Sequence, residues 1–152
     1  MKSNEFIVEA MPQVYYHGSA NKLKVGTKLT PRDDYENDWS NTDFYIPLEK
    51  YRPTDKLSHK QSVFMCDNPT DVDNAGGSTD YLFSLWPNGV VQRHDMNWGS
   101  EISMLISDGH DIDSPEVAHA AQQYWAGNPH PHDESVWEYL TPNATVLTVE
   151  EY

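Results

Sequence analysis

The first strand of the chain is predicted by the stretch Val14-Tyr15-Tyr16-His17-Gly18-Ser19, in which β-prone aromatic residues lead into a glycine turn. Further short β-prone runs follow it, and Gly, Pro, Asn or Asp residues separate them. From these runs we predict strands at residues 22–29, 62–66, 81–86, 90–92, 101–106, 136–140 and 145–149.

Two helices are predicted by their end signals. An Asn-Pro pair at 68–69 is typical of a short helix start, and the Gly-Gly pair at 76–77 would end that helix. A Ser-Pro pair at 114–115 begins a clearer helix with apolar residues at helical spacing, which Gly127 would end. Because strands outnumber helices without a regular βαβ alternation, we expect an α+β fold with a mostly antiparallel sheet.

The length and charge of the chain limit its partners. With 152 residues, positions 1–152 are expected to form a single domain. The 10 Lys and Arg residues against 24 Asp and Glu residues give a net charge of −14. This charge disfavours nucleic acid and anionic membranes as partners, because both are bound by clustered basic residues. It is compatible with a basic partner, with mimicry of nucleic acid, or with solubility alone.

The single cysteine, Cys66, excludes an internal disulfide framework and a four-cysteine zinc site. The sequence contains no apolar run of about 18 residues, the length that a membrane span requires. The first residues lack the apolar core of a signal peptide. We therefore expect a cytoplasmic protein in a reducing compartment, without a membrane partner.

Residues 31–60 are rich in Asp and Glu and show no sustained hydrophobic period. We expect an irregular acidic insertion in this segment. Long irregular loops in compact domains often serve as lids or binding loops. A solvated insertion without a binding role is the equal alternative.

Several phosphate-binding and nucleophilic motifs are absent from the sequence, among them the P-loop, the Rossmann glycine pattern and the G-x-S-x-G elbow. Cys66 lies in an apolar run, where a thiol more often packs than reacts. The turn His130-Pro131-His132-Asp133, with His119 on the preceding helix, offers ligands for zinc or iron. Its spacing matches no familiar zinc motif, so we expect a polar surface turn and no metal.

Three positions offer chemistry without reference to any family. His17 beside Gly18 can hydrogen-bond a polar ligand while the backbone approaches it closely. Phe64, at the end of another predicted strand, can stack on a flat ring. Glu101, near the start of a third predicted strand, can take a proton or stabilise a developing positive charge. Each position also has a structural alternative, as a turn cap, a core residue or a solvated edge residue respectively.

The order of these segments resembles the ADP-ribosyltransferase superfamily of the His–Tyr–acid kind, and in particular the small rifampin ADP-ribosyltransferases. That family's opening Y-x-H-G-T and its K-x-G-D-x-L-x-P stretch are similar to YYHGS at 15–19 and KLKVGTKLTP at 22–31. Its strand-then-helix segment and its E-P-x-G turn are similar to VFMCDNPTDVDNA at 63–75 and YLFSLWPNG at 81–89. The resemblance covers about residues 14–106.

The resemblance implies an NAD⁺ site in a split, twisted, mostly antiparallel β-core with a few short helices. His17 would hydrogen-bond the ribose beside the nicotinamide, and Gly18 would offer backbone groups to the carboxamide. Ser19 would support the turn. Phe64 would stack on the nicotinamide ring in place of the family's usual Tyr, so the stacking is kept and a phenol hydrogen bond is lost.

An acid would stabilise the cationic ribose as nicotinamide leaves. Strand register in the wider superfamily points to Glu101, whereas the rifampin-type pattern points to Asp95. We prefer Glu101, because a strand holds a side chain more rigidly than a loop does.

The implied function is mono-ADP-ribosyl transfer from NAD⁺ to a protein or small molecule, with release of nicotinamide. The acidity of residues 31–60 favours a basic protein surface as the acceptor. Two alternatives stay open at this point. One is an inactive acidic binding or decoy module of the same fold, and the other is a histidine-based metal hydrolase.

Overall fold

The computed structural model describes residues 14–32, 44–72 and 80–151. These residues form two antiparallel sheets and a layer of helices, which confirms the predicted α+β class. The strands are β1 (Tyr15–Ser19), β2 (Lys28–Leu29), β3 (Val63–Met65), β4 (Tyr81–Pro87), β5 (Gln92–Asp95), β6 (Trp137–Thr141) and β7 (Ala144–Glu151). The helices are α1 (Tyr45–Lys50), α2 (Asn97–Ser107) and α3 (Pro115–Ala126), with short 3₁₀ turns at His59–Gln61 and Pro69–Asp71.

The four-stranded sheet has the order β1-β4-β7-β2, and each neighbouring pair is antiparallel. Strand β1 runs along β4 from Tyr15 opposite Leu85 to Ser19 opposite Tyr81. Strand β4 carries buried Phe83 and Leu85 two residues apart, as the two-residue period of a half-buried strand requires. This face of the sheet therefore forms one wall of an apolar core.

The three-stranded sheet has the order β3-β6-β5. Its Val63 and Met65 pack against Phe83 and Leu85 of the four-stranded sheet, so the two sheets share one core. Since side chains alternate between the two faces of a strand, Phe64 lies on the opposite face of β3. That face of the sheet is turned toward the helices.

The helical layer has a second apolar core. Trp98 and Ile102 of α2 pack with Val117 and Trp125 of α3, and the buried Leu48 of α1 joins them. The indole Nε1 of Trp125 also donates a hydrogen bond of 2.8 Å to the carbonyl oxygen of Leu48. This bond ties α1 to α3 across the layer.

The predicted ends of α3 are confirmed. Ser114 Oγ accepts a hydrogen bond from the amide of Val117, and Pro115 occupies the first turn. Gly127 ends the helix with φ of 76°, a left-handed conformation that glycine adopts without strain. The predicted start of the shorter helix is also confirmed, because Asn68 caps the 3₁₀ turn that begins at Pro69. Its predicted end at Gly76-Gly77 lies outside the described residues.

The predicted strand at 101–106 is wrong, because these residues lie in α2. Their β-prone composition favoured a strand when the segment was taken alone. Together with Trp98, however, Ile102, Leu105 and Ile106 recur at the helical spacing i, i+4, i+7 and i+8, and these side chains contact the helical core. Tertiary packing of this apolar face outweighs the β propensity of the run.

Residues 31–60 are not irregular throughout. Their second half contains α1, which buries Tyr45, Pro47 and Leu48, and the start of the 3₁₀ turn at His59–Gln61. The most acidic part, residues 33–43, lies outside the described residues. No helix in the described part of the chain is both long and apolar enough to span a membrane.

Candidate functional site

His17 lies on β1 at the junction of the two sheets. Its Nδ1 atom is 2.7 Å from the carbonyl oxygen of Phe64 on β3. A carbonyl can only accept, so Nδ1 carries the proton and Nε2 of the neutral ring is an acceptor. Burial lowers the pKa of His17, although its bond to Phe64 acts in the opposite direction, so the neutral ring is favoured near pH 7. Nε2 makes no hydrogen bond with any described residue.

Strands β1 and β3 separate at this point. Tyr16 and Cys66 exchange two backbone hydrogen bonds of 2.8 and 2.9 Å, and among the described residues this pair is the only bridge between the two strands. In a continued antiparallel ladder, Gly18 would form the next bonded pair with Phe64. Instead, the carbonyl oxygen of Phe64 accepts a hydrogen bond from the imidazole of His17. We call this place, formed by residues 16–19 and 63–66, the seam.

At the seam, the backbone N–H and C=O of Gly18 point toward β3. Hydrogen-bonding directions alternate along a strand, and Tyr16 bonds to Cys66, so the N–H and C=O of Gly18 also point to the β3 side. The ladder with β3 does not reach Gly18. A donor and an acceptor therefore stand side by side next to His17. At the end of β1, Ser19 Oγ accepts the amide of Asn21 at 3.0 Å and so supports the turn.

Phe64 faces the helical layer. Its ring and that of His59 are nearly perpendicular, with 5.5 Å between the centroids and an interplanar angle of 75°. Phe64 is opposite Leu140 of β6, and Glu138 follows two residues away on the same face of that strand. Phe64 and Glu138 are thus diagonal neighbours, which in an antiparallel pair lie about 7–8 Å apart.

Asp95 lies at the end of β5 and is fully buried. Its carboxylate accepts the backbone amides of Asn97, His130 and Val136 at 3.0, 2.9 and 3.2 Å. These bonds tie the start of α2 to the segment before β6. The expectation of a loop position for Asp95 is wrong, since Asp95 ends a strand and accepts from three backbone amides.

Glu101 lies on α2, where its Oε1 accepts a hydrogen bond of 2.8 Å from Nε2 of His130. The amide of His132 donates to Nδ1 of His130 at 3.2 Å, which leaves the imidazole proton on Nε2. His130 is buried, and it joins Glu101 to the segment that Asp95 also holds. Glu101 was preferred as the acid because it was expected on a strand. Since it lies on a helix, that reason is wrong.

Of the six predicted site residues, the structure brings four to the seam, His17, Gly18, Ser19 and Phe64, and places the two acids elsewhere. His17 and Phe64 meet at the seam, whereas Glu101 and Asp95 meet around His130. Register places Asp95 two strands and three residues away from Phe64, which corresponds to roughly 14 Å between their Cα atoms. In the described part of the chain, neither acid has a hydrogen bond to the seam.

A buried acid that was not among the predicted site residues lies on β6. Glu138 is 5% exposed, and burial raises its pKa from the ordinary 4.5 to about 7. The hydroxyl of Tyr124 donates a hydrogen bond of 2.8 Å to its Oε2 atom. Its other oxygen, Oε1, has no hydrogen bond to a described residue. The available signal was the two-residue period of the closing strand, which puts Glu138 on the face of buried Leu140.

The other candidates have structural surroundings. Cys66 is buried, and burial raises the pKa of its thiol to about 11, so the thiol stays protonated. Exposed His119 meets the ring of Trp98 edge-on. The described residues contain no group of three His, Cys, Asp or Glu side chains placed to hold a metal ion. The expectation of no metal stays a prediction.

No protein-family model matches the chain, and no curated protein is similar to it.

Proposed function

We propose that this protein transfers ADP-ribose from NAD⁺ to an acceptor and releases nicotinamide, with the seam as the nicotinamide-ribose site. The proposal includes the finer fold assignment, a split β-core of the ADP-ribosyltransferase type. The observation that carries it is the interruption of the β1–β3 ladder at His17. The interruption leaves the backbone N–H and C=O of Gly18 outside the β1–β3 ladder, beside the imidazole of His17.

The groups at the seam suit the nicotinamide riboside half of NAD⁺. Gly18 offers one backbone donor and one acceptor, the pair that a carboxamide needs. His17 Nε2 can accept a hydrogen bond from a ribose hydroxyl. Phe64 lies on β3 at the register position of Gly18, and we propose that its ring stacks on the pyridine ring. These contacts bind and orient the substrate.

Glu138 is the acid that the geometry favours most. It lies on the strand next to β3 and on the same face as Phe64. Asp95 and Glu101 hold backbone amides and His130 instead, and their roles as acids stay sequence-based predictions. With a pKa near 7, Glu138 is partly ionised at neutral pH and can supply negative charge where the ribose becomes cationic.

The reaction breaks the bond between the ribose C1′ and the nicotinamide nitrogen, and the electron pair leaves with nicotinamide. A nucleophilic oxygen or nitrogen of the acceptor forms the new bond to C1′ and gives up its proton. The Glu138 carboxylate is suited to stabilise the cationic sugar and to receive this proton. We propose a basic protein surface as the acceptor, because of the net charge of −14, with a small molecule as the other possibility.

The test is release of nicotinamide from NAD⁺ by wild type and by His17→Ala, together with NAD⁺ binding measured by calorimetry. We expect His17→Ala to lower the rate about 100-fold or more, in the range found for loss of one preorganised polar contact. His119→Ala is the matched control, since His119 is exposed on α3 and distant in sequence from the seam. Absence of both release and binding in wild type would refute the proposal.

The acceptor is sought by adding labelled NAD⁺ to cell lysate and locating modified sites by mass spectrometry. We expect modified residues within Lys- or Arg-rich surfaces. NAD⁺ binding without turnover would instead indicate the inactive binding module. Wild-type release rates in Glu138→Gln, combined with loss of release in a folded Asp95→Asn or Glu101→Gln variant, would transfer the role of the acid to Asp95 or Glu101.

A further inference from the structure

We propose that Tyr124 is a positioning residue that orients the Glu138 carboxyl group toward the Phe64 side of the sheet, and that His59 holds Tyr124 in turn. This inference rests on the proposed function, in which Glu138 is the acid. The inference adds two residues to the site: Tyr124 from α3, and His59 from the 3₁₀ turn at His59–Gln61.

The contacts form a continuous chain. Nε2 of His59 lies 2.7 Å from the Tyr124 hydroxyl oxygen, and that hydroxyl donates to Glu138 Oε2 at 2.8 Å. Because the hydroxyl has one proton and gives it to the carboxylate, it accepts from His59, whose Nε2 must carry hydrogen. All three side chains are buried. In this setting, a lost hydrogen bond is not replaced easily by water.

A second buried histidine, His94, packs against these hydrogen-bonded side chains. The ring of His94 stacks on Tyr124 with 4.4 Å between centroids, and its Nδ1 bonds to the Tyr124 carbonyl oxygen at 2.7 Å. Burial lowers the pKa of His59 to about 3 and that of His94 to about 4. Both rings are thus uncharged at pH 7. The pKa of His59 is lowered further by its interaction with His94 and by the charge of Arg52, and that of His94 by the charge of Lys56.

These hydrogen bonds also explain how the polar side chains of Tyr124 and His59 are accommodated in the buried interior. The ring of His59 is nearly perpendicular to that of Phe64, and its Nε2 hydrogen-bonds to the Tyr124 hydroxyl. It therefore contacts the proposed stacking residue and, through Tyr124, the proposed acid. Removing the hydroxyl of Tyr124 would leave the Glu138 carboxylate without the one hydrogen bond to Oε2 found among the described residues.

The test uses Tyr124→Phe, which removes the hydroxyl and keeps the ring. Without this bond the charged carboxylate is less stable, so the pKa of Glu138 should rise. We measure it by carbon NMR on carboxyl-labelled glutamate, with the signal assigned from Glu138→Gln. The rate of nicotinamide release against pH should move its acidic limb upward by the same amount. Tyr51→Phe is the matched control, because that hydroxyl bonds to the Ile112 carbonyl at 3.0 Å and does not touch Glu138.

An unchanged Glu138 pKa and pH profile in folded Tyr124→Phe overturns the proposal. If Tyr124→Phe does not fold, His59→Leu tests the chain one bond farther out: a smaller upward shift supports the proposal, and no shift overturns it. His59→Gln, which retains an N–H donor, should restore the wild-type profile. Failure of the proposed function is a separate result, since it appears as no nicotinamide release in wild type whatever the carboxyl titration shows.

Discussion

The Nδ1 atom of His17 lies 2.7 Å from the carbonyl oxygen of Phe64, where a continued ladder would place the amide of Gly18. One side chain thus replaces one backbone bond and holds two strands apart. The same contact fixes the tautomer of His17 and presents Nε2 as an acceptor. The sheet junction and the proposed binding chemistry therefore have the same cause.

The role of the Phe64 ring can be tested with Phe64→Leu, which keeps an apolar side chain but removes the flat surface. We expect NAD⁺ binding to weaken about 2- to 10-fold, the usual range for an aromatic stacking contact. Calorimetric titration of NAD⁺ measures this, and Phe64→Tyr should bind at least as tightly as wild type. Unchanged affinity in a folded Phe64→Leu would show that the ring does not contact the substrate.

Asp95 is expected to stabilise the fold. Asp95→Asn removes the charge that three backbone amides share, and its NH₂ group cannot accept from any of them. We expect the free energy of unfolding to fall by about 3 kcal/mol. Urea unfolding measures this loss. Glu101→Gln, whose carbonyl oxygen still accepts from His130, should lose much less, and equal losses would contradict this account.

The pKa of Glu138 makes the stability of the protein depend on pH. Its folded value, about 7, lies above the ordinary 4.5, so between these values the folded chain holds a proton that the unfolded chain has released. The contribution of Glu138 to stability is thus complete below about pH 4.5 and is lost as pH rises to about 7.

The matched variant is Glu138→Gln, which does not titrate. Relative to wild type, we expect its free energy of unfolding to gain up to about 3 kcal/mol between pH 4.5 and 8. Urea unfolding of both proteins at several pH values provides the comparison. The difference in unfolding free energy between the two proteins reports on Glu138 alone, because His59 and His94 are present in both. The lowered pKa values of these histidines reduce the stability of both proteins as pH falls below 6.5. A pH-independent difference would refute the raised pKa.

Gly127 is expected to be intolerant of a side chain. Its φ of 76° is left-handed, and a Cβ atom there would lie 3.1 Å from the carbonyl oxygen of Arg93. Gly127→Ala should therefore lower the free energy of unfolding by about 1–2 kcal/mol. The control is Gly109→Ala, where φ is 99° and no atom lies within 4 Å of the added Cβ. A smaller loss at Gly127 than at Gly109 would contradict the close approach to Arg93.

The sequence predicted the elements whose signals are local. Ser114, Pro115 and Gly127 carry the ends of α3 in their own backbone preferences, and the confirmed α+β class follows from the count of short strands. The prediction for 101–106 was wrong because a six-residue apolar run fits both periods. The helical spacing appears when Trp98 is included, and the packing of α2 against α3 selects it.

The sequence predicted the seam residues of the candidate site but not the contacts of its acids. His17 beside Gly18, and Phe64 at the end of a β-prone run, could be identified because each lies in a recognisable local pattern. The partners of the acids could not, since the bonds from Asp95 to Val136 and from Tyr124 to Glu138 join separate elements. Whether a carboxylate holds amides or faces a neighbouring strand depends on strand register and helix docking.

By itself, the sequence determined the residue types that can do chemistry and the local turns that hold them. Only the tertiary structure decided which of them meet: it joined His17 to Phe64, committed Asp95 to three amides, and buried Glu138 behind Tyr124. The physical reason is that propensities and caps act within a few residues. Burial, hydrogen-bond partners and the resulting pKa values instead depend on contacts between residues distant in the chain.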